Sequence, residues 1–268
     1  MIFRGGKIMG VLNVTPDSFS DGGKYFQLED AIAHAHQMVN DGADCIDVGG
    51  LSSRPFQKQQ LTVEEELARV IPVISILSKE IAIPISIDTY HAEVMLRACE
   101  AGASLINDIY ALQQPGALHA AKSCGVPVIL MHMKGTPETM QIEPNYEDVV
   151  FEVNDFFAAR IEACLEAGIE KKNIILDPGF GFGKNFQHNK QLLKSLNVFK
   201  QWQLAILVGL SRKSMIQHAL NLPLNDRMHA SVALAVYAIL QGANWVRVHD
   251  VAATRQALDM IAAVEAEA

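Results

Sequence analysis

Apolar residues along the chain fall into two alternating textures. Short runs rich in β-branched residues have the length and composition of fully buried strands: Ile8–Leu12, Cys45–Val48, Ile85–Ile87, Leu105–Ile106, Val128–Met131, Ile174–Leu176, Leu204–Val208 and Trp245–Val248. Between them lie longer stretches in which apolar residues return every three or four positions, the spacing that lines one face of a helix. From Tyr146 to Ala167 this spacing collects Val149, Val150, Val153, Phe156, Phe157 and Ile161 on one side. From Thr62 to Lys79 a second helix opens with a capping box made by Thr62 and Glu65. Pro72 predicts a bend or a split in it, because proline has no amide donor for the helix interior. Several helices hand over to the next strand through a glycine suited to a left-handed cap: Gly42, Gly102, Gly125, Gly168 and Gly242.

Eight repeats of strand then helix, with no linker or low-complexity tract between them, predict an α/β fold. A closed parallel (β/α)8 TIM barrel, formed by residues 1–268 as a single domain, fits best; such barrels use about 250 residues. An open doubly wound sheet would announce itself with a dinucleotide fingerprint after its first strand, and none is present.

Composition narrows the function. Half of the 268 residues are hydrophobic, enough for one large core, and the net charge of -8 argues against a nucleic-acid partner. No apolar run approaches the ~20 residues of a membrane span, and the first residues, Met1 to Lys7, lack the apolar core of a signal peptide. Cys45, Cys99, Cys124 and Cys164 are scattered without a C-x-x-C pair, and are expected as reduced core residues of a cytoplasmic protein.

The chemistry lies at the strand ends. They supply, in order, Asn13; Asp47 with Gly49-Gly50 and Arg54; Asp88; Asn107-Asp108; His132; Asp177; Ser211-Arg212-Lys213-Ser214; and Arg247, His249 and Asp250. One Asp after a strand is usually a helix cap, but eight polar strand ends gathered on one rim mark the C-terminal face where barrels place their active sites. Leu176-Asp177-Pro178-Gly179-Phe180-Gly181-Phe182-Gly183-Lys184 superficially suggests a phosphate loop. Pro178 stands where the first Gly should be, and Asn185 where the hydroxyl should be, and both departures count against a nucleotide loop. Ser211-Arg212-Lys213-Ser214 opens a helix, an anion-attracting position, although Lys213 also suits a Schiff-base amine. Arg247 and His249 share a face if the last strand runs through them.

The stretch Met9-Gly10-Val11-Leu12-Asn13-Val14-Thr15-Pro16-Asp17-Ser18-Phe19-Ser20-Asp21-Gly22-Gly23, together with the Asp177 stretch and the Arg247-Val248-His249 triplet, resembles the dihydropteroate synthase family. The likeness runs in matching order from Met9 to about Val251. It implies a transferase that joins 6-hydroxymethyl-7,8-dihydropterin diphosphate to 4-aminobenzoate, releasing diphosphate and 7,8-dihydropteroate. By the same resemblance Asp88, Asn107, Asp177, Phe182 and Lys213 serve the pterin, with Asp88 stabilising a pterin cation, and Ser214 lies near the aminobenzoate carboxylate. Arg247, Val248 and His249 correspond to the diphosphate-binding motif, and Asn13 contacts a Mg2+ ion with Asp21 nearby. Phe19, Ser20, Ser53, Arg54 and Pro55 belong to two loops that close over the site. The resemblance also implies a homodimer. The second loop departs from the family pattern Gly-Gly-Glu-Ser-Thr-Arg-Pro-Gly, carrying Leu51, Ser53 and Phe56 in place of the Glu, the Thr and the final Gly; sulfonamide affinity is what these changes touch. Two rival readings share the residues: a folate-binding methyltransferase barrel, which needs no diphosphate clamp, and a catalytically dead pterin-binding paralogue. A Schiff-base lyase working through Lys213 is a third.

Overall fold

The computed structural model describes residues 5–14, 24–50, 61–137, 139–140, 142 and 144–266. Among them eight strands close into a parallel barrel in sequence order: β1 (Lys7–Asn13), β2 (Cys45–Gly49), β3 (Ile85–Asp88), β4 (Leu105–Asp108), β5 (Val128–Met131), β6 (Ile174–Asp177), β7 (Ala205–Val208) and β8 (Trp245–Val248), with β8 pairing back to β1. The outer layer is α1 (Lys24–Asn40), α2 (Val63–Glu80), α3 (Ala92–Ala101), α4 (Ala117–Cys124), α5 (Val149–Glu166), α6 (Phe186–Lys194), α7 (Ser214–Leu220), α8 (Met228–Leu240) and α9 (Val251–Glu265). The expected (β/α)8 barrel is therefore what the chain forms. The connection from β7 to β8 holds two helices, α7 and α8, rather than one.

The strands are apolar throughout because both of their faces are covered. One set of alternating residues, including Ile46, Val48, Ile87, Leu130, Leu176, Val208, Val246 and Val248, packs outward in the main core with Val70, Ile74, Val153 and Phe157 of the helices. The other set points into the barrel, where Met9, Cys45, Leu105, Ile129, Ile175 and Leu207 form a separate cluster floored by Ala205 and Trp245. Removing one such side chain from water contributes about 1.5–3 kcal/mol.

Helix α2 keeps the expected capping box: Thr62 accepts from the Glu65 amide, and the Glu65 carboxylate accepts from the Thr62 amide. It runs unbroken through Pro72, contrary to the expected split. A proline in a helix interior costs about 3 kcal/mol. The buried stripe Val70, Val73, Ile74 and Leu77 spans it, and at about 1.5–3 kcal/mol per side chain that stripe prevails. Helix α5 starts at Val149 rather than Tyr146, because Asp148 caps it by accepting from the amides of Val150 and Phe151. The five handover glycines all have positive φ. All four cysteines are free, but only Cys45 and Cys164 are fully buried, whereas Cys99 and Cys124 are half-buried.

Candidate active site

Two residues beyond the apolar cluster, the same inward alternation turns polar. Asp47, Asp88, Asn107, Asp177 and Arg247 each occupy an inward position near the end of their strand. Arg247 ties three strands together. Its Nε donates to Asp47 Oδ2 at 2.6 Å, and its Nη2 donates to Asp88 Oδ2 at 2.7 Å. Asp47 Oδ2 also accepts from Asn107 Nδ2 at 3.1 Å, so one buried carboxylate oxygen holds both a guanidinium and an amide. Among the described residues, Asp47 Oδ1 and the hydroxyl of Ser86, its register partner on β3, are buried without a hydrogen-bond partner.

These contacts set the charges. Burial pushes the Asp88 carboxyl up to about 7; Arg247 opposes this, and Asp47, Glu66 and Asp108 reinforce it. Burial also works against the Arg247 charge, but Asp47 and Asp88 more than offset it, so the guanidinium stays protonated. Asp108, the neighbour of Asn107, accepts from the Tyr110 and Leu112 amides and so serves the loop after β4.

Across the mouth lies a second group. Asp177 is 6% exposed and accepts from the Gly179 amide at 2.7 Å. Burial raises its pKa, against the pull of Lys213, the Gly179 amide, Lys184 and Arg247. Lys213 does not cap α7 with its side chain. Its Nζ turns back to donate to the Phe180 carbonyl and stands 4.5 Å from the Phe182 ring centroid. Burial lowers its pKa to about 8, although Asp177 favours its charge. Gly209 lies between them: a Cβ there would be in ordinary contact with both, 3.8 Å from Lys213 Nζ and 3.9 Å from Arg247 Cβ. Phe182 packs with Met131 and Met140 as an apolar wall, with Ile109 and Met133 beside it.

The remaining predicted residues sort themselves by strand geometry. Asn13 ends β1 on the inward side, in register with Gly49. His249 is oriented by Ser211, whose Oγ is 3.0 Å from Nδ1. Val248 departs from expectation: its side chain faces the helices, because Arg247 takes the inward position and adjacent strand residues alternate. Arg212 is no anion ligand either; it binds Asp250 through two hydrogen bonds of 2.5 and 3.1 Å. Ser214, the first residue of α7, is exposed, and lines a cleft of about 380 Å³ with Phe186, Met215 and His218. Phe19, Ser20, Asp21, Ser53, Arg54 and Pro55 lie outside the described residues.

Sequence reasoning gave no role to three contributors. Asp47 was visible as a charge inside an apolar strand, Cys45-Ile46-Asp47-Val48-Gly49, a position where an acid needs a partner. Met131 is the last inward residue of β5, and Met140 follows on the next loop; neither carries a polar signal.

Known proteins match this arrangement. The family model described as "Pterin binding enzyme" matches residues 9–249. The dihydropteroate synthase of Escherichia coli strain K12 is 51% identical over 256 residues, covering 96% of this chain and 90% of that protein. The dihydropteroate synthase of Haemophilus influenzae is 49% identical, covering 94% and 91%. Among solved structures, the Yersinia pestis dihydropteroate synthase with a sulfonamide drug complex superposes with a TM-score of 0.92 at 48% identity, covering 98% of this chain and 95% of that one. The Xanthomonas albilineans dihydropteroate synthase in complex with 7,8-dihydropteroate superposes at 0.90 and 45% identity, covering 100% and 97%. With its barrel, its polar inner rim and these relatives in agreement, the chain belongs to the pterin-binding enzymes, in the dihydropteroate synthase family.

Proposed function

We propose that this mouth binds a dihydropterin methyl diphosphate and transfers its methylene carbon to the amine of 4-aminobenzoate. The carbon–oxygen bond to diphosphate breaks, diphosphate leaves with the bonding pair, the arylamine nitrogen forms the new carbon–nitrogen bond, and its surplus proton passes to solvent. The observation that carries this reading is the placement of two buried carboxylates, Asp47 and Asp177, a third that is partly exposed, Asp88, and the amide of Asn107 with two cations on one inner rim. A pterin presents a 2-amino group and a ring N–H side by side, and Asp177 offers that edge paired acceptors. Asn107 and Lys213 meet the remaining polar atoms, while Phe182, Met131 and Met140 supply an apolar wall for the ring.

Bond cleavage leaves positive charge on the pterin, and Asp88, when ionised, stabilises it. Arg247 spends Nε and Nη2 on Asp47 and Asp88, so it offers Nη1 to the departing diphosphate. His249, oriented by Ser211, adds a second donor. Ser214 lies on the side that takes the aminobenzoate, and the stretches carrying Phe19, Ser20, Ser53, Arg54 and Pro55, outside the described residues, would close over both substrates and keep water from the cation.

For Mg2+ the described residues offer one candidate ligand, the Asn13 amide, whose hard oxygen suits this ion and which ends β1 on the inward side. Asn13 would hold the ion, and substrate oxygens and water would complete its shell; Asp21, the second residue proposed for it, lies outside the described residues. When bound, the ion would neutralise charge on the diphosphate.

We also read residues 1–268 as one cytoplasmic domain that works as a homodimer. The free thiols support the compartment, and among the described residues no helix is long and apolar enough to cross a membrane. The exposed Tyr237 and Leu240 of α8 and Met260 and Val264 of α9 support the docking of a second copy. The direct test of function mixes protein, the dihydropterin diphosphate, 4-aminobenzoate and Mg2+. Diphosphate and dihydropteroate should appear together, and Asp177→Ala should abolish pterin binding in a calorimetric titration. Retained pterin affinity in that variant would sink the assignment of Asp177, and tight binding without turnover by the unaltered protein would favour a dead paralogue.

A further inference from the structure

Lys184 ends the glycine-rich stretch after β6, yet it is only 2% exposed and has no carboxylate within ion-pair distance among the described residues. A buried lysine without a partner is costly, so its donors must be used. They are. Nζ lies 2.8 Å from His132 Nδ1, 3.0 Å from the carbonyl of Gly179, 3.0 Å from that of Phe182 and 3.3 Å from that of His132. Three N–H bonds of an ammonium are shared among four acceptors that all belong to the segments leaving β5 and β6.

The acceptors are fixed by their own surroundings. His132 is packed edge-on against Phe156, and burial together with the Lys184 charge lowers its pKa to about 2, so it stays neutral with Nδ1 as an acceptor. The backbones of the two segments touch: a Cβ at Gly179 would run into the His132 carbonyl, and one at Gly183 into that of Lys134. Only Gly at φ 67° and φ 65° allows this approach, and the Gly179 carbonyl also accepts from the Phe182 amide at 3.1 Å. Lys184 Nζ joins the two segments by donating to carbonyls on both, His132 from one and Gly179 and Phe182 from the other. Asn189 closes the far side, donating to the Lys184 carbonyl and accepting from the Gly181 amide.

We propose that Lys184 is a positioning residue for the pterin half of the site, fixing the loop from Gly179 to Gly183 as one rigid body. This role rests on the reading of the mouth as a pterin site. That loop carries the Gly179 amide bonded to Asp177, the Phe180 carbonyl that anchors Lys213, and the Phe182 ring. Three of the groups assigned to the pterin thus take their places from one ammonium that does not itself touch the substrate. The titratable groups facing it are His132 just after β5, Asp177 of β6 and Lys213 before α7, with His188 of α6 at the rim; burial and Lys213 push its pKa well below that of an ordinary lysine, against the pull of Asp177 and of the four acceptors gathered around Nζ.

The test compares Lys184→Met, which keeps the stem and deletes the ammonium, with His132→Phe, which keeps the ring shape and deletes one acceptor. Binding of the dihydropterin diphosphate is measured by calorimetry, and KM for each substrate by turnover, after cooperative melting has been established for each variant. Lys184→Met should weaken pterin binding at least tenfold while KM for 4-aminobenzoate changes less than twofold. His132→Phe should weaken pterin binding two- to fivefold with the same split, and decides the matter if Lys184→Met does not fold. Pterin affinity within twofold of the unaltered protein in a folded Lys184→Met, or equal losses for both substrates, would overturn the positioning role. Failure of the unaltered protein to bind the pterin would instead overturn the reading of the mouth, and this role with it.

Discussion

Asp47 offers the sharpest energetic test, because one of its oxygens is shared by two donors at the centre of the barrel mouth. Two substitutions separate its shape from its charge. Asp47→Asn keeps an oxygen to accept from Arg247 and Asn107 and places an amide beside the Ser86 hydroxyl, which has no partner now. A hydrogen bond to a charged group contributes about 1.5–3 kcal/mol and a neutral one about 0.5–1.5 kcal/mol, so the expected loss is about 1–1.5 kcal/mol. Asp47→Ala removes the acceptor altogether. Arg247 keeps Asp88 at 2.7 Å, but its Nε and the Asn107 amide are left facing a cavity. Breaking a buried ion pair from one side costs about 3–5 kcal/mol. For a chain of this size that is a melting-point drop on the order of 10 °C, against roughly 3–5 °C for the Asn variant. Urea unfolding at neutral pH, followed by circular dichroism with the slope m checked for constancy, gives both values. If Asp47→Ala and Asp47→Asn differ by less than about 1 kcal/mol, Asp47 is not the acceptor that holds Arg247, and the account of the charge triad fails.

Asp88 and Gly179 give two further expectations. Asp88 must be ionised to stabilise a cation, and its carboxyl sits at about 7, so kcat/KM for the pterin substrate should fall as pH drops through that value. Stability should move the opposite way. A carboxyl raised above its ordinary value of about 3.9 contributes stability that is fully present below that value and lost as pH rises through about 7. Asp88→Asn should flatten part of the melting-temperature profile over this window and leave the share due to Asp108, which is also raised to about 7; an unchanged profile would refute the shift. Gly179→Ala combines a left-handed backbone at φ 67°, costing a side-chain-bearing residue about 1–2 kcal/mol, with a steric collision against the His132 carbonyl costing about 1–3 kcal/mol more. It should destabilise by about 2–5 kcal/mol in urea unfolding; a loss under about 1 kcal/mol would show that the loop moves freely.

The barrel was legible because its strands are short, apolar and β-branched, and because the glycines after its helices mark each return to the sheet. All eight runs became strands, and half of them gained the polar residue that comes next: Asn13, Asp88, Asp108 and Asp177 are the final residues of their strands, not the first of a loop. A polar side chain ends a strand pattern in sequence, whereas the backbone carries on pairing until its neighbour stops. The same cause left Asp47 without a role, although its alternation placed it inside. Val248 came in with the Arg247-Val248-His249 motif as a whole; the alternation already read from the sequence, with Arg247 and His249 on one face, is what turns its side chain to the helices. At Pro72 the split, one of the two expected outcomes, does not occur, because the buried stripe that crosses it outweighs the local propensity. Lys184 was visible only as the end of a glycine run. Nothing in the order of residues says that four acceptors from two different loops converge on one nitrogen.

The step from the apolar cluster at Met9, Cys45, Ile129 and Ile175 to the polar rim at Asp47, Asp88 and Asp177 has a consequence for how this protein can change. Scaffold and reagent are not separate stretches of chain; they are adjacent storeys of one building, and each strand climbs through both. Cys45 and Asp47 are one pleat apart, as are Ile175 and Asp177, so the distance between holding the molecule up and doing its chemistry is about 7 Å along any strand. Substitutions on the upper storey can redirect what is bound without weakening the closure of the barrel beneath. An insertion or deletion of one residue between the two would turn the upper side chain out among the helices and bring an apolar one in. The chemistry is therefore open to replacement and closed to displacement.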